Sequence, residues 1–151
     1  MSGKSFEEFR RGEGWLSPPR RVTRRDIEVF SRISRDRNPL HLDPVYAKGT
    51  PFKRTIAHGL LGLSMASGML DGLGIIRKSV LAFVELNWRF LAPIYPGDRV
   101  RLKLRVARKK RTERRDRGIV IFQAELLNQD GRTVQEGDWT LLVYCKRHLP
   151  E

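Results

Sequence analysis

Six residues, Asp36-Arg37-Asn38-Pro39-Leu40-His41, place a carboxylate, an amide and an imidazole on a stretch that cannot be a continuous helix. The residue before a proline is pushed out of the α region. Asn38 is therefore expected in an extended or turn conformation, with Asp36 and His41 folding toward one small volume. An acid and a base held that close can add water across a double bond, or remove it. Taken alone, Asp-x-Asn-Pro is a turn former, and His41 would be a satisfied surface side chain. The Ile56-Ala57-His58-Gly59 segment that follows, heading an apolar and glycine-rich run, turns the reading toward a site.

The flanking elements must position those groups. Thr23-Arg24-Arg25-Asp26 has the spacing of a capping box, with Asp in place of the usual Glu or Gln. Ile27, Phe30 and Ile33 then share a helical face, so a helix is predicted over roughly 24–34. Asp43-Pro44 reads as an N-cap followed by proline at the first helical position, giving a helical turn through Val45, Tyr46 and Ala47 that Gly49 stops. Residues 57 to 73 are apolar on nearly all sides yet carry Gly59, Gly62 and Gly68 with Ser64 and Ser67. Glycine inside a helix costs about 1 kcal/mol relative to alanine, so the pattern predicts a helix buried all round, its backbone pressed on a sheet.

Strand texture follows. Residues 80 to 90 are β-branched and aromatic, and Val100, Leu102, Leu104 and Val106 alternate with Arg101, Lys103 and Arg105. Residues 118–127 and 133–145 read as two more strands around a tight turn at 128–131, and Cys145 as a small apolar residue closing the last strand. The basic run from Arg108 to Arg115 falls at a hairpin tip. The expected class is α+β, an antiparallel sheet curled around one long central helix.

Composition sets the outer bounds. The 151 residues, 40% hydrophobic and 31% charged, suit a single domain spanning 1–151, with residues 1–14 a loosely ordered lead-in where Phe6 and Phe9 can dock. One cysteine excludes an internal disulfide, and no metal-ligand spacing is present, so no metal is expected. The apolar run at 59–70 is shorter than the roughly 20 residues of a membrane span. The N-terminus has no apolar run of a signal peptide, so a soluble cytoplasmic protein is expected. The net charge of +13 calls for an anionic partner or for ion-pair networks; nucleic acid and a ligand bearing several phosphates both satisfy it.

Asp36-Arg37-Asn38-Pro39-Leu40-His41-Leu42-Asp43-Pro44, Ile56-Ala57-His58-Gly59-Leu60, Phe90-Leu91-Ala92-Pro93 and Pro96-Gly97-Asp98 together resemble the (R)-specific enoyl-CoA hydratases of the MaoC-like hot-dog family, over about residues 6–144. The resemblance implies a lyase that reversibly hydrates a trans-2-enoyl-CoA to an (R)-3-hydroxyacyl-CoA. It also implies a homodimer whose sheets join edge to edge, or a dimer of dimers, and no cofactor besides the coenzyme A thioester as substrate. Asp36 and His41 would then be the acid–base pair, with Asn38 orienting the water or holding the loop. Gly59, at the start of the helix, would polarise the thioester carbonyl with its free N–H and the helix dipole. Ser67 matches a position that supports the catalytic histidine or the helix.

His58 is expected to be structural, and Gly62-Leu63-Ser64-Met65-Ala66, being mid-helix, is no nucleophile elbow. Lys53, Arg54 and Arg89 are candidates for the coenzyme A phosphates, and Met65, Met69 and residues near Phe52 for the acyl pocket. The family commonly has glycine before the aspartate, where this chain has Arg35. Two alternatives remain open: a dehydratase acting on branched, dicarboxylic or acyl carrier protein-bound 3-hydroxyacyl thioesters, or a non-catalytic binder of acyl thioesters or nucleic acid. The acid–base pair, which a binding module does not need, argues against the binder.

Overall fold

The computed structural model describes residues 3–150. Four helices and seven strands form an α+β hot-dog fold: α1 (Arg24–Ser34), α2 (Pro39–Leu42), α3 (Pro44–Lys48) and α4 (Gly59–Gly72), with β1 (Gly14–Leu16), β2 (Arg20–Arg21), β3 (Val80–Leu86), β4 (Arg89–Phe90), β5 (Arg99–Arg111), β6 (Arg117–Leu127) and β7 (Thr133–Tyr144). The antiparallel sheet runs β1-β5-β6-β7-β3, with β2 added to β5 and β4 to β7. Among the described residues, no helix is long and apolar enough to cross a membrane.

Alternation along the long strands makes the core. Leu102 and Leu104 on β5, Phe122 and Leu126 on β6, and Trp139 and Leu141 on β7 are fully buried on the face that meets Leu61, Met65, Ala66 and Leu70 of α4. Each such side chain contributes about 1.5–3 kcal/mol on leaving water. Arg101, Lys103 and Arg105 take the opposite face of β5, as the period of two requires.

The helix starts are legible in the sequence. Thr23 Oγ1 accepts the Asp26 amide at 3.1 Å, and the Asp26 carboxylate accepts the Thr23 amide at 2.8 Å. Asp43 Oδ1 accepts from Val45 and Tyr46 at the head of α3.

Three expectations need correction. The segment at 1–14 is not loose over its described part. Phe6 and Phe9 are buried, Phe9 packs edge-on against Phe122 with centroids 5.5 Å apart, and the Lys4 amide bonds the Ile75 carbonyl at 2.8 Å. Two phenylalanines on a short polar stretch find apolar surface at the rim of the sheet; Met1 and Ser2 lie outside the described residues. Helix α4 is not buried all round either: Leu60, Ser64, Ser67 and Gly68 are exposed. One protomer's sheet covers one face of a helix and leaves the other. The strand expected over 80–90 breaks at Asn87-Trp88, where the chain passes so close to Gly137 that a Cβ there would lie 1.9 Å from the Asn87 carbonyl oxygen.

Candidate active site

The loop carrying Asp36 begins where α1 is capped by Arg35 in the left-handed region, φ 62° and ψ 11°. That backbone suits glycine and strains other residues, so the glycine common at this position has a conformational reason that arginine does not share. Beyond it the loop is tied tightly. The Asp36 carbonyl accepts Ser31 Oγ at 2.6 Å and His58 Nε2 at 3.1 Å. Asp36 Oδ1 accepts the Asn38 amide at 3.1 Å, and Asn38 Oδ1 accepts the Leu40 amide at 3.0 Å. Asn38 thus caps α2 with the extended backbone its proline imposes (φ −54°, ψ 129°). Its side-chain oxygen holds the loop.

His41 lies on the single turn of α2. Its Nδ1 stands 2.8 Å from the Ile56 carbonyl oxygen, which can only accept, so Nδ1 carries a proton and, in the neutral ring, the lone pair is on Nε2. His58 repeats the device: Nε2–H donates to the Asp36 carbonyl, leaving Nδ1 buried without a partner. The two rings stack, centroids 3.8 Å apart and planes 29° apart, and Phe30 closes on His58 at 5.0 Å. Burial holds the His58 imidazole below the ordinary histidine pKa, and nearby His41 adds to that, against the opposing Asp36 carbonyl and carboxylate.

A carboxylate oxygen of Asp36 and one ring nitrogen each of His41 and His58 lie within 4.8 Å of one another. These are donor types a metal ion would accept. Each ring has already committed one nitrogen to a main-chain carbonyl, which leaves Nε2 of His41 and Nδ1 of His58.

A cavity of about 620 Å³ opens beside His41, its walls including Phe52, Leu60, Phe90 and Ile94, and Gly59 and Gln135 also line it. Among the described residues the Gly59 and Leu60 amides have no protein acceptor, as the first turn of a helix dictates. A Cβ on Gly59 would meet the Phe90 ring at 2.7 Å, so glycine lets ring and helix end approach. His41 and Gly59 share this cavity; exposed Asp36 is outside its lining but beside His41.

Other sequence candidates stand apart. Ser67 is exposed and its hydroxyl donates to the Ser64 carbonyl at 2.7 Å, bonding its own helix and not His41. None of Lys53, Arg54 and Arg89 lines the cavity: Arg89 pairs with Glu136, Arg54 lies over the Tyr95 ring at 4.0 Å, and exposed Lys53 follows Phe52 in its wall. Met65 and Met69 pack in the core, while Phe52, whose neighbourhood was the third acyl-pocket candidate, lines the cavity. Gln135 was missed altogether. The phase of β7 could have found it, since Trp139, Leu141 and Val143 are inward at odd positions and 135 shares their parity.

With this geometry, comparison with known proteins is informative. The model of the MaoC like domain matches residues 10–124. The chain is 30% identical over 142 residues to an (R)-specific enoyl-CoA hydratase of Rhodospirillum rubrum, covering 91% of this chain and 90% of that one. It is 33% identical over 106 residues to protein MaoC of Klebsiella aerogenes, covering 70% of this chain and 31% of that longer relative. A solved structure described as a monoamine oxidase regulatory protein from Archaeoglobus superposes with a TM-score of 0.90 at 33% identity, covering 97% of both chains.

Proposed function

The chain belongs to the MaoC-like domain family, and on that premise we propose that it reversibly hydrates a trans-2-enoyl thioester of coenzyme A to the (R)-3-hydroxyacyl thioester. The observation that carries this reading is an apolar cavity lined by His41 and by Gly59 and Leu60, whose amides at the head of α4 are unpaired, with the Asp36 carboxylate outside the lining but beside His41.

The thioester carbonyl lodges against the Gly59 amide, where the helix end stabilises charge on its oxygen. Water bonds through its oxygen to C3. One of its protons passes to the Asp36–His41 pair, electron density moves to the thioester oxygen, and a proton from the pair reaches C2 to close the balance. Asp36 and His41 share no direct hydrogen bond, yet a carboxylate oxygen and a ring nitrogen lie within 4.8 Å, and a water between such groups would couple them. No electrons are exchanged, so the reaction needs no redox cofactor. The apolar walls suit a hydrocarbon acyl chain. Lys53 and Arg54, near the Phe52 side of the cavity, are cations available to the phosphates of coenzyme A.

The working unit in this reading is a cytoplasmic homodimer. Edge strand β3 exposes Phe83, Val84 and Leu86, and the free face of α4 offers the small residues Ser64, Ser67 and Gly68. Both are surfaces a second copy would cover.

The test is the absorbance of the enoyl thioester band when crotonyl-CoA is mixed with the protein. The band is expected to decay, and Asp36→Asn and His41→Gln each to slow the decay by roughly 100-fold or more, with melting temperatures within a few degrees of the parent. Variants that unfold without a specific rate loss, or a parent protein inert toward enoyl thioesters, would refute the reading.

A further inference from the structure

We infer that Gln135 is a positioning residue for the charge-stabilising end of α4, acting through the Gly59–Leu60 peptide; this rests on the hydration reading above. Among the described residues, Gln135 is the one polar side chain in the cavity lining apart from His41, and it is 2% exposed. A primary amide taken out of water costs roughly 1–3 kcal/mol if its bonds go unmade, so its partners specify where it must sit.

Both ends of the amide are fixed. Trp88 Nε1, which can only donate, bonds Oε1 at 2.9 Å, and Nε2 donates to the Gly59 carbonyl at 3.0 Å. An indole that only donates and a carbonyl that only accepts leave one orientation for the amide. Helix α4 is shaped for it. At Gly62 a Cβ would lie 2.5 Å from Gln135 Nε2 and 2.9 Å from its Cδ, so the glycine is the recess that admits the side chain. Gln135 and Gly62 are complementary parts of one contact.

The effect falls on the site through a single peptide plane. A donor on the Gly59 oxygen polarises the Gly59–Leu60 peptide, whose other end is the unpaired Leu60 amide, and hydrogen bonds in series strengthen one another away from water. It also pins the first turn of α4, where helix ends otherwise fray. The neighbouring Gly59 amide is therefore held in place before substrate arrives, and preorganised donors are the ones that lower a barrier. The advantage grows as charge develops on the thioester oxygen, so its loss should appear in turnover more than in binding.

The test combines kinetics with a spectroscopic signature. Gln135→Met keeps the length and removes both bonds. It is expected to lower kcat on crotonyl-CoA about 10- to 100-fold while KM stays within about twofold. The carbonyl ¹³C resonance of bound [1-¹³C]butyryl-CoA, an unreactive saturated analogue, is expected to move back toward its free position. Gly62→Ala displaces the amide without deleting it and is expected to give the same kcat loss, which keeps the question answerable if Gln135→Met does not fold. Unchanged kcat in a folded variant, a loss carried wholly by KM, or an unmoved carbonyl resonance would overturn the proposal. A parent protein that binds butyryl-CoA but leaves crotonyl-CoA intact would refute the hydration reading itself.

Discussion

The imidazole of His58 lies stacked on that of His41, centroids 3.8 Å apart, while its Nε2–H holds the carbonyl of Asp36. One buried ring thus touches both members of the proposed acid–base pair, and it sits one residue before the amide at the head of α4.

That ring should leave a pH signature. Burial lowers the His58 pKa in the folded protein, so between pH 7 and 5 the unfolded chain takes up a proton, near the ordinary value of about 6.5, before the folded one does. Stability is full above pH 6.5 and falls as the pH drops toward the folded-state value, by at most about 1.4 kcal/mol per pH unit for one proton. Urea unfolding at pH 5, 6 and 7 is expected to show this slope, and His58→Phe to reduce it. Equal slopes in the two proteins would exclude His58 as its source.

Arg35 offers a stabilising change. Its left-handed backbone costs a residue with a Cβ roughly 1 kcal/mol, part of which a glycine gives back through the entropy of its unfolded chain. Arg35→Gly is expected to raise the melting temperature by about 1–4 °C with activity retained. A drop in melting temperature would mean that the guanidinium contributes more than the backbone strain costs.

The exposed apolar edge at β3 is expected to pair with a second copy. Sedimentation velocity should find a dimer, and Val84→Lys, a charge on the edge strand, should shift it toward monomer. A parent protein that sediments as a monomer at micromolar concentration would contradict the expected pairing.

Much of this arrangement was legible in the amino-acid order because local chemistry dictates it. The Thr23–Asp26 box, Pro44 after Asp43, and the alternation from Val100 to Val106 each fix an element with its nearest neighbours alone. What escaped depends on distant partners. Phe6 was expected to dock, but its pocket comes from the distant sheet, including Gly118, where a Cβ would come 2.4 Å from its ring. Gln135 drew no reading at all, because nothing near it in sequence reveals that Trp88 and Gly59 wait 47 and 76 positions away.

The anchors of His41 and His58 are main-chain carbonyls, those of Ile56 and Asp36. A side-chain partner can be lost in one codon change; a peptide oxygen cannot. Relatives are therefore free to remodel the walls that choose the acyl chain, through Phe52, Phe90 and Ile94, while the protonation geometry of both rings is inherited with the backbone. Diversification of what is accepted and constancy of what is done can then proceed independently.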